Sequence, residues 1–434
     1  MRIAMLVMLA MTFPVRAADL SFPPKLTGDA EWITIDSPAL IEPPKGFREG
    51  IAVAKTAPKV EVAYLPGQTY KGNPWSVWGD SVYANGKYYT AFGDHLAPQG
   101  NAFVYEFDPK TKKFRQLIDV RKLINLPDGH YTPGKIHSQL GMGRDGWLYF
   151  STHRGSTRVT TDANHYLGDW LLRANPDSGK SEIVVHAPVA KHCLPTGLLD
   201  SKRLIFYAGT HPGNNDPDGI QFFAYDVANR KMLYNGPNGP ARSMIHSSST
   251  GRVYYVPTKS NDKLVRFDPE KVGPPVEIDV TANIRATSDE TADGKVYLTS
   301  QPEKGGDAMF SVFDVKTEKI ESLGVANVGQ QGYITSLDID ATGRFIYYIP
   351  GAHGGAEKDG SPVVQFDTKN RTRKVIAFLH PVVQEKAGFI PSGTYSVALS
   401  TEGDKLFVTW NSNRGTKVWD TVTLSVIHIP ASER

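Results

Sequence analysis

One short pattern recurs seven times along the 434-residue chain and leaves few folds open to it. Each copy has a two-residue turn, an aromatic-rich apolar run, and a second run closed by a residue pair that is usually aromatic then Asp. The turns centre on Asn85-Gly86, Asp145-Gly146, Asp200-Ser201, Thr250-Gly251, Asp293-Gly294, Thr342-Gly343 and Glu402-Gly403. The closing pairs are Phe107-Asp108, Ala174-Asn175, Tyr225-Asp226, Phe267-Asp268, Phe313-Asp314, Phe366-Asp367 and Trp419-Asp420. Asn-Gly and Asp-Gly mark tight hairpins because both central positions tolerate positive φ. Neighbouring turns lie 43 to 60 residues apart, and four short strands per unit of that length is the signature of a propeller blade. The chain is therefore expected to be all-β, a seven-bladed β-propeller of four-stranded antiparallel blades over residues 73–434.

Residues 19–72 lack both the turn and the closing pair, and they read as an arm that wraps the ring. Val60 to Leu65 has the pattern of an added edge strand, while the last blade reads as complete, with Ser425 to Ile429 as its outermost strand. Residues 1–18 read as a secretory signal. Arg2 supplies the positive end, Ile3 to Phe13 the apolar core, and Val15-Arg16-Ala17 a small-residue cleavage site. The expected location is secreted or periplasmic. That apolar run is too short to span a bilayer and no other stretch qualifies. The formal charge of +3 includes Arg2 and Arg16, so composition offers no nucleic-acid or membrane-surface partner. A monomer is expected. Cys193 is the only cysteine, which excludes an internal disulfide and a four-cysteine zinc site.

In a four-strand meander, the start of the innermost strand a and the end of strand b share one face. Nine residues before the second turn residue, strand a starts with His137, His192, Arg242 and Arg285 in blades 2 to 5. Trp75 and Trp78, Tyr333 and Tyr395 lie near the same point in blades 1, 6 and 7. The ends of strand b carry His95, His153, His211 and His353, and blade 7 has Arg414. With His130 and His165 on nearby connections, eight of the twelve histidines fall on one face. His246 lies four residues beyond Arg242 with the same side-chain parity, so it is expected to line the channel. Asp80, Asp94, Asp169, Asp216 and Asp218 show no obvious pair of the kind an ordinary glycosidase uses. Histidine, tyrosine and arginine without paired carboxylates suit β-elimination from a uronic acid. A guanidinium neutralises the carboxylate, and a His or Tyr moves the proton.

Gly134-Lys135-Ile136-His137-Ser138, followed by Asp145 to Phe150 and Thr152-His153-Arg154-Gly155, resembles the seven-bladed propeller polysaccharide lyases, the ulvan lyase and rhamnose–glucuronate lyase group. That resemblance implies catalysis by His137, His153 and Tyr207. The family arginine has no match between Gln221 and Tyr225, and Arg242 is its substitute. Substrate contacts are assigned to His192, His211, Arg285, His246, Trp78, Tyr333 and Arg414. The implied partner is an acidic polysaccharide or oligosaccharide, cleaved without a cofactor. A structural calcium or zinc ion is a separate option, with Asp289, Glu290, Asp338 and Asp340 as conceivable calcium ligands. Two other functions fit the same fold: a non-catalytic propeller that binds an acidic glycan or a protein, and a metal-dependent lactonase or other hydrolase.

Overall fold

The Asn85-Gly86 turn shows how a blade begins. Both residues have positive φ (53° and 77°), so Val82–Ala84 folds directly back on Lys87–Gly93, with Ala84 opposite Lys87. Ala102–Asp108 and Lys113–Asp119 complete the meander. The computed structural model describes residues 20–240, 242–260, 262–416 and 418–434; the signal expectation lies outside them. Within them the unit repeats as seven antiparallel sheets, each carrying four blade strands. The innermost strands of blades 2 to 7 include Lys135–Ile136, His192–Asp200, Ile245–His246, Ala286–Thr287, Leu337–Ile339 and Ile390–Leu399. No helix among the described residues is long and apolar enough to cross a membrane.

Blade 7 departs from the sequence expectation. Its C-terminal part supplies three strands, Ile390–Leu399, Lys405–Asn413 and Thr421–His428. Trp419-Asp420 lies before the third of them, whereas the closing pair was expected after it. The arm strand Lys59–Tyr64 is the fourth, paired antiparallel from Lys59 opposite His428 to Tyr64 opposite Thr423. Ile33–Ile35 adds to its outer edge, and Ala52–Val53 pairs in parallel with strand d of blade 6.

Side chains reinforce the closure. Buried Gln68 donates to the carbonyls of Leu65 and Val422 and accepts from Val422 N (2.7 Å) and the Thr421 hydroxyl. Glu61 bridges Lys112 of blade 1 and His428 of blade 7. Between blades, the aromatic residues of the repeat do the packing. Tyr88, Phe107 and Phe407 fill the seam between blades 1 and 7, and the arm's Trp32 stacks on Phe114 at 5.7 Å. Each such ring contributes roughly 1.5–3 kcal/mol by leaving water. A chain that begins at residue 66 leaves strand c of blade 7 as an open edge. It is expected to lose its cooperative thermal transition and to aggregate in size-exclusion chromatography; a monomer with an unchanged Tm would contradict the closure.

Candidate functional site

Trp78 precedes strand a of blade 1, and its indole N–H is fixed by the Ser76 hydroxyl (2.6 Å). The ring gathers side chains of blades 1, 2, 6 and 7 around it. Its centroid lies 4.9 Å from Tyr395, 5.4 Å from His353, 5.5 Å from His95, 5.7 Å from Trp419 and 5.9 Å from His137. Lys135 Nζ sits over it at 4.5 Å, a cation–π contact. His153 meets His137 edge-on at 5.3 Å. Across the mouth, Arg285 donates from Nε to the Tyr333 hydroxyl (2.9 Å) and lies over the Tyr395 ring at 5.7 Å. The Tyr395 hydroxyl and His353 Nδ1 are 2.8 Å apart.

Trp78, His137, Arg242, Arg285 and Tyr395 line a cavity of about 60 Å³ at the channel mouth. His353 and Trp419 also line a larger cleft of about 1030 Å³, which runs between the arm residues Phe22 and Lys71 and blades 6 and 7.

Burial and crowding by cations set the protonation states. His137 is held down to about 3, first by burial and then by Lys135, Arg285 and Arg242. His95 is held to about 2 by burial, with Lys135 and His137 adding to it. His153 lies well below the usual imidazole range for the same reasons. His353 is lowered by burial and then by Lys135, Arg242 and Arg285, and so is neutral beside the Tyr395 hydroxyl. Burial raises Tyr395. Lys135 is lowered to about 8 by burial and by Arg154.

The cations have no counter-ions. Among the described residues, none of Lys135, Arg154, Arg242 or Arg285 forms an ion pair with a carboxylate. Arg154 donates instead to the Pro212 carbonyl (3.1 Å) and to the Asn215 side chain. Asp80, on the wall of the mouth cavity, is pushed up to about 8 by burial and accepts from Ser336 (2.8 Å). Asp169 is pushed up to about 7 and is enclosed by Thr152, Tyr131 and Tyr166. Asp80 is held largely protonated near neutral pH, whereas Asp169 is near its midpoint there and, lowered by Arg154, offsets that cation only in part.

His137, His153, Arg242, Arg285, Trp78 and Tyr333 thus meet at the mouth as expected from sequence, but other expected residues do not. Tyr207 is in the seam between blades 3 and 4, donating to the Gly251 carbonyl (2.9 Å) and packed against Phe222 and Phe267. A strand-b side chain of its parity faces the neighbouring blade. His246 lies beside it at 6.2 Å, with Nε2 3.5 Å from the Asp200 carboxylate, away from the mouth. One extra residue in strand a of blade 3, between Cys193 and Thr196, puts the nine-residue count out of step there, and His192 is buried with Nδ1 2.7 Å from the Thr210 hydroxyl. His211 does stay near the cluster, within reach of the charges of Arg154 and Arg242, with Nδ1 tied to the Pro212 carbonyl at 3.1 Å. Arg414 is already neutralised by Asp420 (2.9 Å) and clamps the arm at the Ser21 carbonyl. Buried Cys193 donates Sγ–H to the His211 carbonyl, and its thiol is pushed up to about 12 by burial, so it is no nucleophile. Lys135 and Arg154 had no assigned role. The signal was present, because Lys135 is two residues from His137 and Arg154 follows His153.

No family model and no curated protein matches the sequence. Solved structures that share the fold include an oligogalacturonate lyase in complex with manganese, with TM-score 0.53 and 12% identity over 88% of this chain and 96% of that one. The oligogalacturonate lyase of Vibrio parahaemolyticus has TM-score 0.52 and 11% identity over 93% and 100%. A chain of the mitotic checkpoint complex has TM-score 0.52 and 11% identity over 91% and 97%. At such identities the likeness is one of fold. A manganese-type site does not fit the residues at hand: among those described, no three His, Cys, Asp or Glu side chains converge to hold a metal ion.

The neutral histidines carry a stability consequence. Below the unfolded-state value of about 6.5 the unfolded chain takes up protons that His95, His137 and His153 refuse. Stability is therefore fully present above about pH 6.5 and is lost as pH falls toward the folded-state values near 3 and below. Thermal melts are expected to show Tm falling over that window, and less steeply in His95→Gln; a pH-independent Tm would contradict the assignment.

Proposed function

We propose that the protein is a secreted polysaccharide lyase that cleaves a uronic-acid glycan by β-elimination. The observation that carries this reading is the cluster of Lys135, Arg154, Arg242 and Arg285 around neutral histidines, with no carboxylate partner among the described residues. Arg154 and Arg285 are buried and Lys135 is half-buried, with the exposed Arg242 beside them, and cations crowded in this way are costly to hold together unless an anion arrives. The fold it shares with two oligogalacturonate lyases is in keeping with an acidic sugar as that anion.

In the proposed reaction, Arg285 and Arg242 hold the uronate carboxylate and take up the charge that builds on it when the C5 proton leaves. His137 is the base. It is neutral and can accept, but the cations around it keep it weakly basic. A bound carboxylate offsets those cations and raises its affinity for a proton at the moment it is needed. His153 packs edge-on against His137 and orients it. Trp78 and Trp419 offer flat apolar faces for the sugar rings. Loss of the C4 oxygen leaves a C4=C5 double bond conjugated with the carboxylate.

Ultraviolet absorbance during incubation with ulvan, rhamnose-capped glucuronides, pectic and glycosaminoglycan chains tests this. A rising signal from unsaturated uronate is expected with at least one of them. His137→Ala is expected to lower kcat about 10²–10⁴-fold, and Arg285→Ala about 10²–10³-fold with a raised KM, while Tyr207→Phe leaves the rate unchanged. A folded protein that binds these chains without producing the signal would make it a glycan-binding propeller instead.

A further inference from the structure

Elimination needs a proton at the leaving oxygen, and the groups around Trp78 differ in whether they can give one. His95, His137, His153 and His353 carry lowered imidazole values and are neutral near pH 7. The Tyr395 hydroxyl is raised by burial and gives up its proton less readily than a free phenol. Arg154, Arg242 and Arg285 do not release protons, and the Asp80 carboxyl, though raised by burial, is engaged by the Ser336 hydroxyl and the Ser81 and Val397 amides. Lys135 is different. It begins strand a of blade 2, with its backbone paired opposite His153. Its ammonium lies on the Trp78 face with no carboxylate partner among the described residues. Arg154 and the four histidines face it as positive or potentially positive groups, and Cys193 faces it from blade 3.

We propose that Lys135 is the general acid of the mouth, delivering its proton to the C4 oxygen as the glycosidic bond breaks. The inference rests on the lyase reading. The step balances: the C5 proton passes to His137, and the C5–H electron pair becomes the C4=C5 bond. The C4–O pair leaves with the oxygen, which takes a proton from Lys135. The products are an unsaturated uronate and a free hydroxyl. His137 then gives up its proton to solvent and Lys135 regains one. The lowered Lys135 value of about 8 makes it a better donor than an ordinary lysine while it remains protonated at neutral pH.

The test compares Lys135→Met and Lys135→Arg with the wild type on two substrates, the natural glycan and a 4-O-aryl uronate whose phenoxide needs no proton to leave. Wild-type kcat on the glycan is expected to fall as pH rises through about 8, the value at which Lys135 loses its proton. Lys135→Met is expected to lower kcat on the glycan about 10²–10⁴-fold while keeping the aryl substrate within about tenfold of wild type. Lys135→Arg, which retains the charge, is expected to lose the alkaline limb at pH 8. Equal losses on both substrates in Lys135→Met, or an alkaline limb unchanged in Lys135→Arg, would overturn the assignment. Elimination by the wild type that Lys135→Met leaves unaffected overturns it alone, whereas no elimination by the wild type from either substrate overturns it together with the lyase reading.

Discussion

Closure of the ring by a strand from the opposite end of the chain is the constraint on which everything else rests. Each blade brings its strand a to the channel at one fixed point of the meander, so a side chain there meets its counterparts only if the circle is complete. Lys59–Tyr64 supplies the outer strand of blade 7 and ties it back to the start of blade 1. Gln68 and Glu61 bind the join with side-chain bonds to both ends. Trp78 of blade 1 can then pack on Tyr395 of blade 7 and His137 of blade 2 together. The mouth is in this sense a product of closure, as no one blade contains it.

Electrostatics at that mouth run against stability. Lysine and arginine are seldom buried without partners, yet Arg154 and Arg285 are buried here and Lys135 half-buried, beside histidines kept neutral first by their own burial and then by these cations and the exposed Arg242. Elsewhere in the protein the same residue types are paired: Lys374 with Glu433, Arg173 with Glu182, Arg252 with Asp268. The contrast separates structural cations, which hold blades and termini together, from those at the channel, whose field is open to a ligand. A low-dielectric wall of Trp78, Tyr333 and Tyr395 strengthens that field by keeping water away from part of it.

The blade count was legible because the turn residues have a backbone reason to be where they are, as Asn85 and Gly86 show with their positive φ. The position nine residues before each turn was also legible, and it correctly brings His137, Arg242 and Arg285 to one place. It failed at His192, where a single extra residue in the strand puts the count out by one; a bulge leaves no mark in a residue count. Tyr207 was misread because a buried aromatic on strand b looks the same in sequence whether it faces the channel or the next blade. The arm strand was visible as an edge strand, but its place as the fourth strand of blade 7 depends on a pairing across the whole length of the chain. Lys135 lay inside the motif that drew attention to His137, and only its position over Trp78, without a partner, gives it meaning.

The central claim is that the mouth is built for a carboxylate. Calorimetric titration with a uronate oligosaccharide, beside the same oligosaccharide reduced to the alcohol at C6, tests it most directly. The account expects the acid to bind about 10- to 100-fold more tightly than the alcohol, the worth of a charge-assisted hydrogen bond, and expects that margin to shrink as salt is raised. Equal affinity for the two sugars at every ionic strength would contradict it.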